Sequence, residues 1–200
     1  GVDMPTRRCI SAFVVLVLIV TARSLAAQEV DYLSDRSTGL TLEIRQGWGD
    51  FGFDCATAKT GGVGSPLQIG QQKFERGLGH HANGEIAVDL RGLYTRFQTL
   101  VGVQWQGGGK GSVVFRVAVD GEVKFETGPM SDSDPARPVD IPLTGAKELR
   151  LIATDAGDGI GCDMADWAEA RLERDGRMPR FGQSVVTFGE EPAPPRSAAA

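Results

Sequence analysis

From Leu40 onward, apolar and polar residues alternate along the chain with a period of two. Leu40, Leu42 and Ile44 form one such row, and Ile86, Val88 and Leu90 form another. Phe97, Thr99, Val101 and Val103 continue the pattern, followed by Val113, Phe115, Val117 and Val119, and then by Leu149, Leu151 and Ala153. Successive side chains of a strand point to opposite faces, so these rows predict half-buried β-strands. Turn signals separate them at Gly61-Gly62, Gly107-Gly108-Gly109, Gly128-Pro129 and Gly157-Asp158-Gly159. Asp120-Gly121, between Val117/Val119 and Val123/Phe125, predicts a tight hairpin. No segment before residue 160 has a sustained helical stripe. Met164–Arg174 reads as a final strand with Ala168, Ala170 and Leu172 along it; helix is the alternative there. Gln183–Phe188 suggests a peripheral strand, within a decaying segment 176–200 that ends in low-complexity EEPAPPRSAAA and is expected to be disordered. Eight to ten short strands predict an all-β fold, an antiparallel β-sandwich.

The first residues carry a different pattern. Arg7 and Arg8 precede an apolar run, Ile10–Val20, and small residues follow at Ser24 and Ala26. This is the order of a secretory signal, expected to occupy residues 1–26. The run is shorter than the ~20 residues that span a bilayer. The mature chain is then expected outside the cytoplasm, secreted or in the cell envelope, with no membrane insertion after cleavage. Removal of the leader shifts the net charge from −5 to about −7. An acidic chain is not built for nucleic acid as a partner. Residues 27–175 are expected to form one domain, long enough for a self-sufficient core. Cys9 would leave with the leader, so Cys55 and Cys162 remain for an oxidising compartment. They read either as a disulfide or as two small buried hydrophobes.

Candidate chemistry concentrates in GLGHHANGEIAVDLRG, Gly77–Gly92, and in DMADWA, Asp163–Ala168. His80 and His81 are the chain's two histidines. An imidazole both donates and accepts, which suits paired hydroxyls, and strand alternation points the two rings apart. Without further ligands they make a poor zinc site. Trp105, at the edge of the triple-glycine loop, is the expected stacking platform, whereas Trp48 and Trp167 read as core residues. Asp155, Asp158, Asp163 and Asp166 crowd into one stretch without EF-hand spacing. Paired carboxylates are also the requirement for glycoside hydrolysis, but no cleft-forming element is visible, and intrinsic catalysis is not expected.

The order of these pieces resembles the NPCBM family, also classed as carbohydrate-binding module family 51. The resemblance is carried by Tyr32-Leu33-Ser34-Asp35, Gly47-Trp48-Gly49, Gly77-Leu78-Gly79-His80-His81-Ala82-Asn83, the strand ending Asp89-Leu90, Asp120-Gly121 and Asp163–Ala168, over residues 30–174. It implies a galactose-binding-like jelly roll that binds glycans, galactose-type sugars among them, without cleaving them, alongside a glycoside hydrolase that here would be a separate protein. On this resemblance His81 and Asn83 become candidate sugar-binding residues, with Asp163 and His80 beside them; Trp105 joins them as the stacking candidate on its place in the chain, not on the family pattern. Related sandwiches hold a structural calcium between first and last strands, which would place it near Asp35 and Glu169. The chain departs from the family at Met164, where relatives carry a histidine. The competing expectation is a protein-interaction module of the cell envelope on the same fold, with sugar binding lost.

Overall fold

The computed structural model describes residues 28–177 and 182–190; the expected leader and residues 191–200 lie outside the described residues. Two six-stranded sheets face each other. Sheet A contains β3 (Gly52–Phe53), β6 (Gly77–His81), β13 (Met164–Asp175), β8 (Tyr94–Val103) and β11 (Arg137–Pro142), with β1 (Gln28–Tyr32) paired to the second half of β13. Sheet B runs β14 (Val185–Phe188), β2 (Thr41–Arg45), β7 (Gly84–Asp89), β12 (Glu148–Thr154), β9 (Val114–Val119) and β10 (Glu122–Glu126). A small hairpin, β4 (Leu67–Ile69) and β5 (Gln72–Phe74), covers part of the outer face of sheet A. The expected antiparallel β-sandwich is present, and Asp120-Gly121 closes the β9–β10 hairpin.

Register turns the alternation into a core. Leu149 stands opposite Val88 and Val119, and Leu151 opposite Ile86 and Val117, so three strands of sheet B send one apolar row inward. From sheet A, Trp167 stands opposite Leu78 and Val101. Its fully buried indole meets the ring of Phe115 edge-on, with centroids 5.3 Å apart. A buried tryptophan that spans both sheets contributes large contact area to a single core.

Three expectations change. Ala168 does not share a face with Ala170 and Leu172: Glu169 has a positive φ of 52°, and the pairing with β8 shifts register there. That bulge turns Ala168 outward, under β4, while Ala170 and Leu172 enter the main core. The domain also extends past residue 175, because β14 pairs parallel with β2, Val185 opposite Thr41 and Phe188 opposite Ile44. Finally, Cys55 and Cys162 are both free thiols, so the disulfide reading is overturned in this structure. Cys55 lies over the middle of β6, its carbonyl so close that a Cβ at Gly79 would sit 2.5 Å from it. Cys162 lies beyond the opposite end, since Met164 already pairs with His81. At a strand rise of about 3.3 Å per residue the two are on the order of 13 Å apart, past the ~7 Å reach of a disulfide.

Candidate functional site

Four connections cross between the sheets at one end of the sandwich: residues 46–51, the turn at Ala82-Asn83, residues 104–113 and residues 155–163. The first carries Trp48. Gly47 presses so closely on this turn that a Cβ there would lie 2.7 Å from the Ala82 carbonyl. Gln46 ties the same loop down, its Nε2 donating to Gly49 O at 2.6 Å and its Oε1 accepting from His81 N at 3.3 Å. With its backbone held inward, Trp48 has only solvent to point to, and its side chain stands 42 % exposed.

The indole leans on His81, ring centroids 5.2 Å apart and tilted by 59°. His81 Nδ1 lies 2.7 Å from Ala82 O. A carbonyl only accepts, so Nδ1 carries the proton and Nε2 keeps its lone pair. Burial holds the His81 pKa below its ordinary value, against the raising effect of the Ala82 carbonyl. The ring, only 4 % exposed, is therefore neutral at pH 7, with Nε2 as its acceptor. Trp48, His81, Gln106, Ile160, Cys162 and Met164 enclose a depression of about 370 Å³. Gln106 Nε2 donates to Cys162 O at 2.7 Å, fixing the far wall. Met164, opposite His81 across the β6–β13 pair, lies on the same face as His81. The lining contains no carboxylate.

His80 has a different surrounding. It is fully buried on the inner face of β6, and its Nε2 accepts from Trp167 Nε1 at 2.8 Å. Burial, with a smaller effect of His81, pushes its pKa down to about 3. Its Nδ1, left as the protonated nitrogen, is buried without a hydrogen-bond partner. The ring does not line the depression beside Trp48.

The other expected residues scatter. Asn83 lies on the sheet B side of the turn, and its Oδ1 accepts from Asp155 N at 3.1 Å. Asp163 is buried below the loop; one carboxylate oxygen accepts from Ser112 N at 2.8 Å and the other has no partner. Burial pushes its carboxyl up to about 6, with Asp158 and Asp155 adding to the effect and the Ser112 hydrogen bond opposing it. Trp105 is half-buried beside β4, its backbone N bonded to Gln68 O, and does not line the depression. Trp48 lines it instead. A tryptophan isolated between two glycines was the available signal, since such a segment has no apolar neighbours with which to form a core.

Asp35 and Glu169 line separate depressions, Asp35 with Asp54 and Glu75, Glu169 with Asp140. Asp35 Oδ1 is occupied by Ser37 N and Oγ at 2.8 and 2.7 Å. Among the described residues no group of three or more His, Cys, Asp or Glu is arranged to hold a metal. These residues do not fit the expected calcium pair.

Comparison with known proteins locates this arrangement in a family. The family profile of the NPCBM/NEW2 domain matches residues 29–173. The Putative endo-alpha-N-acetylgalactosaminidase of Renibacterium salmoninarum is 31% identical over 127 residues, 63% of this chain and 8% of that protein. The Alpha-1,3-galactosidase B of Akkermansia muciniphila is 29% identical over 153 residues, 74% of this chain and 18% of that protein. The chain thus spans less than a fifth of the length of these curated relatives. The CBM51 of Clostridium perfringens GH95, solved in complex with methyl-galactose, superposes with a TM-score of 0.63 at 29% identity, over 72% of this chain and 99% of that one. With a match that runs from β1 into β13, the chain belongs to the NPCBM/NEW2 domain family and has the β-sandwich of a family 51 carbohydrate-binding module.

Proposed function

We propose that this domain binds a glycan without cleaving it, holding a terminal sugar residue, galactose-type for preference, between Trp48, His81, Gln106 and Met164. One observation carries the reading: an exposed indole stands beside a neutral imidazole acceptor in a depression that contains no carboxylate. The C–H face of a pyranose stacks on the indole and a hydroxyl donates to His81 Nε2. Hydrolysis needs a pair of acids on either side of the scissile bond, and here there is none to serve. Met164 supplies apolar contact beside His81, so hydroxyl recognition falls mainly to His81. The domain is proposed to work outside the cytoplasm in company with a glycoside hydrolase; the glycosidase relatives, each of which contains a stretch similar to this chain, support that association.

A glycan array probed with the purified chain tests this. Binding to a set of glycans sharing one terminal sugar is expected, unchanged by EDTA, and Trp48→Ala is expected to weaken it at least tenfold. An array blank for every glycan overturns the proposal. A second reading, docking of a protein partner, draws on the sheet B edge, where Phe188 and Val185 of β14 are 65 % and 55 % exposed. A blank array together with loss of partner binding in Phe188→Ser would favour it.

A further inference from the structure

A second depression, of about 380 Å³, opens on the outer face of sheet B at the same end of the sandwich. Its floor follows from register. Ile152 of β12 stands opposite Glu85 of β7 on one side and Arg116 of β9 on the other, so a carboxylate, an apolar side chain and a guanidinium lie abreast. One step along, Thr154 pairs with Val114 and extends this floor toward the end of the sandwich. Asn83 and Asp155 form the end wall, locked together by the Asp155 N to Asn83 Oδ1 hydrogen bond.

Two of the three charged side chains lining the groove are paired, Glu85 with Arg150 and Arg116 with Glu126. The remaining charge is Asp155 in the end wall, whose Oδ1 accepts from Gly157 N at 3.0 Å. A groove with an apolar floor, paired flanks and an acidic end wall fits a neutral, amphipathic ligand rather than an anion. The groove and the site beside Trp48 flank the same loop. The 155–163 loop contributes Asp155, Ala156 and Gly157 to one depression and Ile160, Gly161 and Cys162 to the other. Its ends are pinned to the Ala82-Asn83 turn, at Asn83 Oδ1 and through Ala82 N to Asp163 O at 3.0 Å. The two depressions thus flank one loop across sheets that pack roughly 10 Å apart, so a ligand that reaches both must be an oligosaccharide that rounds this loop.

We infer that the Ile152 groove is a second subsite, which takes the following residues of the same neutral glycan chain whose terminal sugar lies against Trp48. This rests on the glycan-binding reading, and it defines the ligand further: an oligosaccharide rather than a single sugar. Arg116 and Glu85 serve its hydroxyls from the flanks, and Ile152 packs against a ring face.

Calorimetric titration of the chain with methyl galactoside and with neutral galactose-terminated tri- and tetrasaccharides tests it. Arms with N-acetylglucosamine and its oligomers run in parallel. The wild type is expected to bind one or more of the oligosaccharides at least tenfold more tightly than the matching monosaccharide, with one ligand per chain. Arg116→Ala and Ile152→Gln are expected to remove most of that advantage while leaving monosaccharide affinity within about twofold, which also reports that the variants are folded. Trp48→Ala is expected to weaken both ligand lengths. Monosaccharide binding with no gain from any longer chain overturns the subsite but leaves the Trp48 site standing, as do two independent monosaccharides per chain. No binding of any saccharide overturns both.

Discussion

His80 and His81 are neighbours in one strand and have opposite surroundings. His80 lies between the sheets, where its Nε2 fixes the indole of Trp167 and nothing reaches it from outside. His81 lies on the outer face, its Nδ1 anchored to the Ala82 carbonyl and its ring tilted against an exposed tryptophan. Each histidine thus meets a tryptophan, and the two pairs differ in place: one lies between the sheets, the other lines the proposed sugar site. A one-residue step reverses the face of a strand, so adjacent positions of identical type serve unrelated ends.

Breaking the inner pair has the largest expected effect. Trp167→Ala empties the centre of the core and is expected to destabilise the domain by about 3–5 kcal/mol, read as a drop in urea midpoint. His80→Ala leaves the buried Trp167 N–H unpaired and is expected to cost about 1–3 kcal/mol. Sugar affinity of the folded His80→Ala protein should stay within about threefold; a loss like that of Trp48→Ala would mean that the inner pair also shapes the site. The outer pair should behave in reverse. His81→Ala is expected to reduce glycan affinity on the order of tenfold and to cost about 1 kcal/mol of stability, less than the inner pair, because the ring, although only 4 % exposed, packs against the Trp48 indole and not between the sheets.

Titration sharpens the same contrast. Glycan affinity should be flat near neutral pH and fall in acid, when His81 gains a proton and Nε2 stops accepting. The inner ring acts on stability. With a folded pKa of about 3 against 6.5, His80 contributes stability that is fully present above pH 6.5 and is lost as pH falls toward 3. Asp163 works in the opposite direction: raised from 3.8 to about 6, it weakens the fold as pH rises through that interval. Asp163→Asn is therefore expected to raise the melting temperature at pH 7.5 by on the order of 2–4 °C and to make no difference below pH 3.8. An equal change at both pH values would show that the effect is steric.

Much of the sandwich was legible in the sequence because strands buried on one face alternate. Rows such as Leu149, Leu151 and Ala153 became core as written. Where the alternation failed as a guide, both faces were covered or the period was broken. β6 is buried throughout because the Cys55–Thr57 backbone lies directly on Gly79. The β13 bulge exchanged the faces on either side of Glu169. β14 lay in a segment whose composition read as a tail, yet its backbone found the open edge of β2. The site was legible as a location, the turn after His80-His81, but only in part as a set of residues. Trp48, Gln106 and Cys162 come from loops distant in sequence, and no local pattern reports which loops meet at one end of a sandwich.

By itself the sequence determined the strand pattern, the tight turns, the family motifs and the opposite facing of the two histidines, since each of these follows from backbone geometry over a few residues. Only the tertiary structure decided which tryptophan faces solvent, which histidine is sealed, that the two cysteines lie too far apart to bridge, and that the 155–163 loop is a wall shared by two depressions. Those outcomes depend on the register and crossing of strands separated by tens of residues, and the free energy that selects them comes from burial of a common core rather than from any local preference.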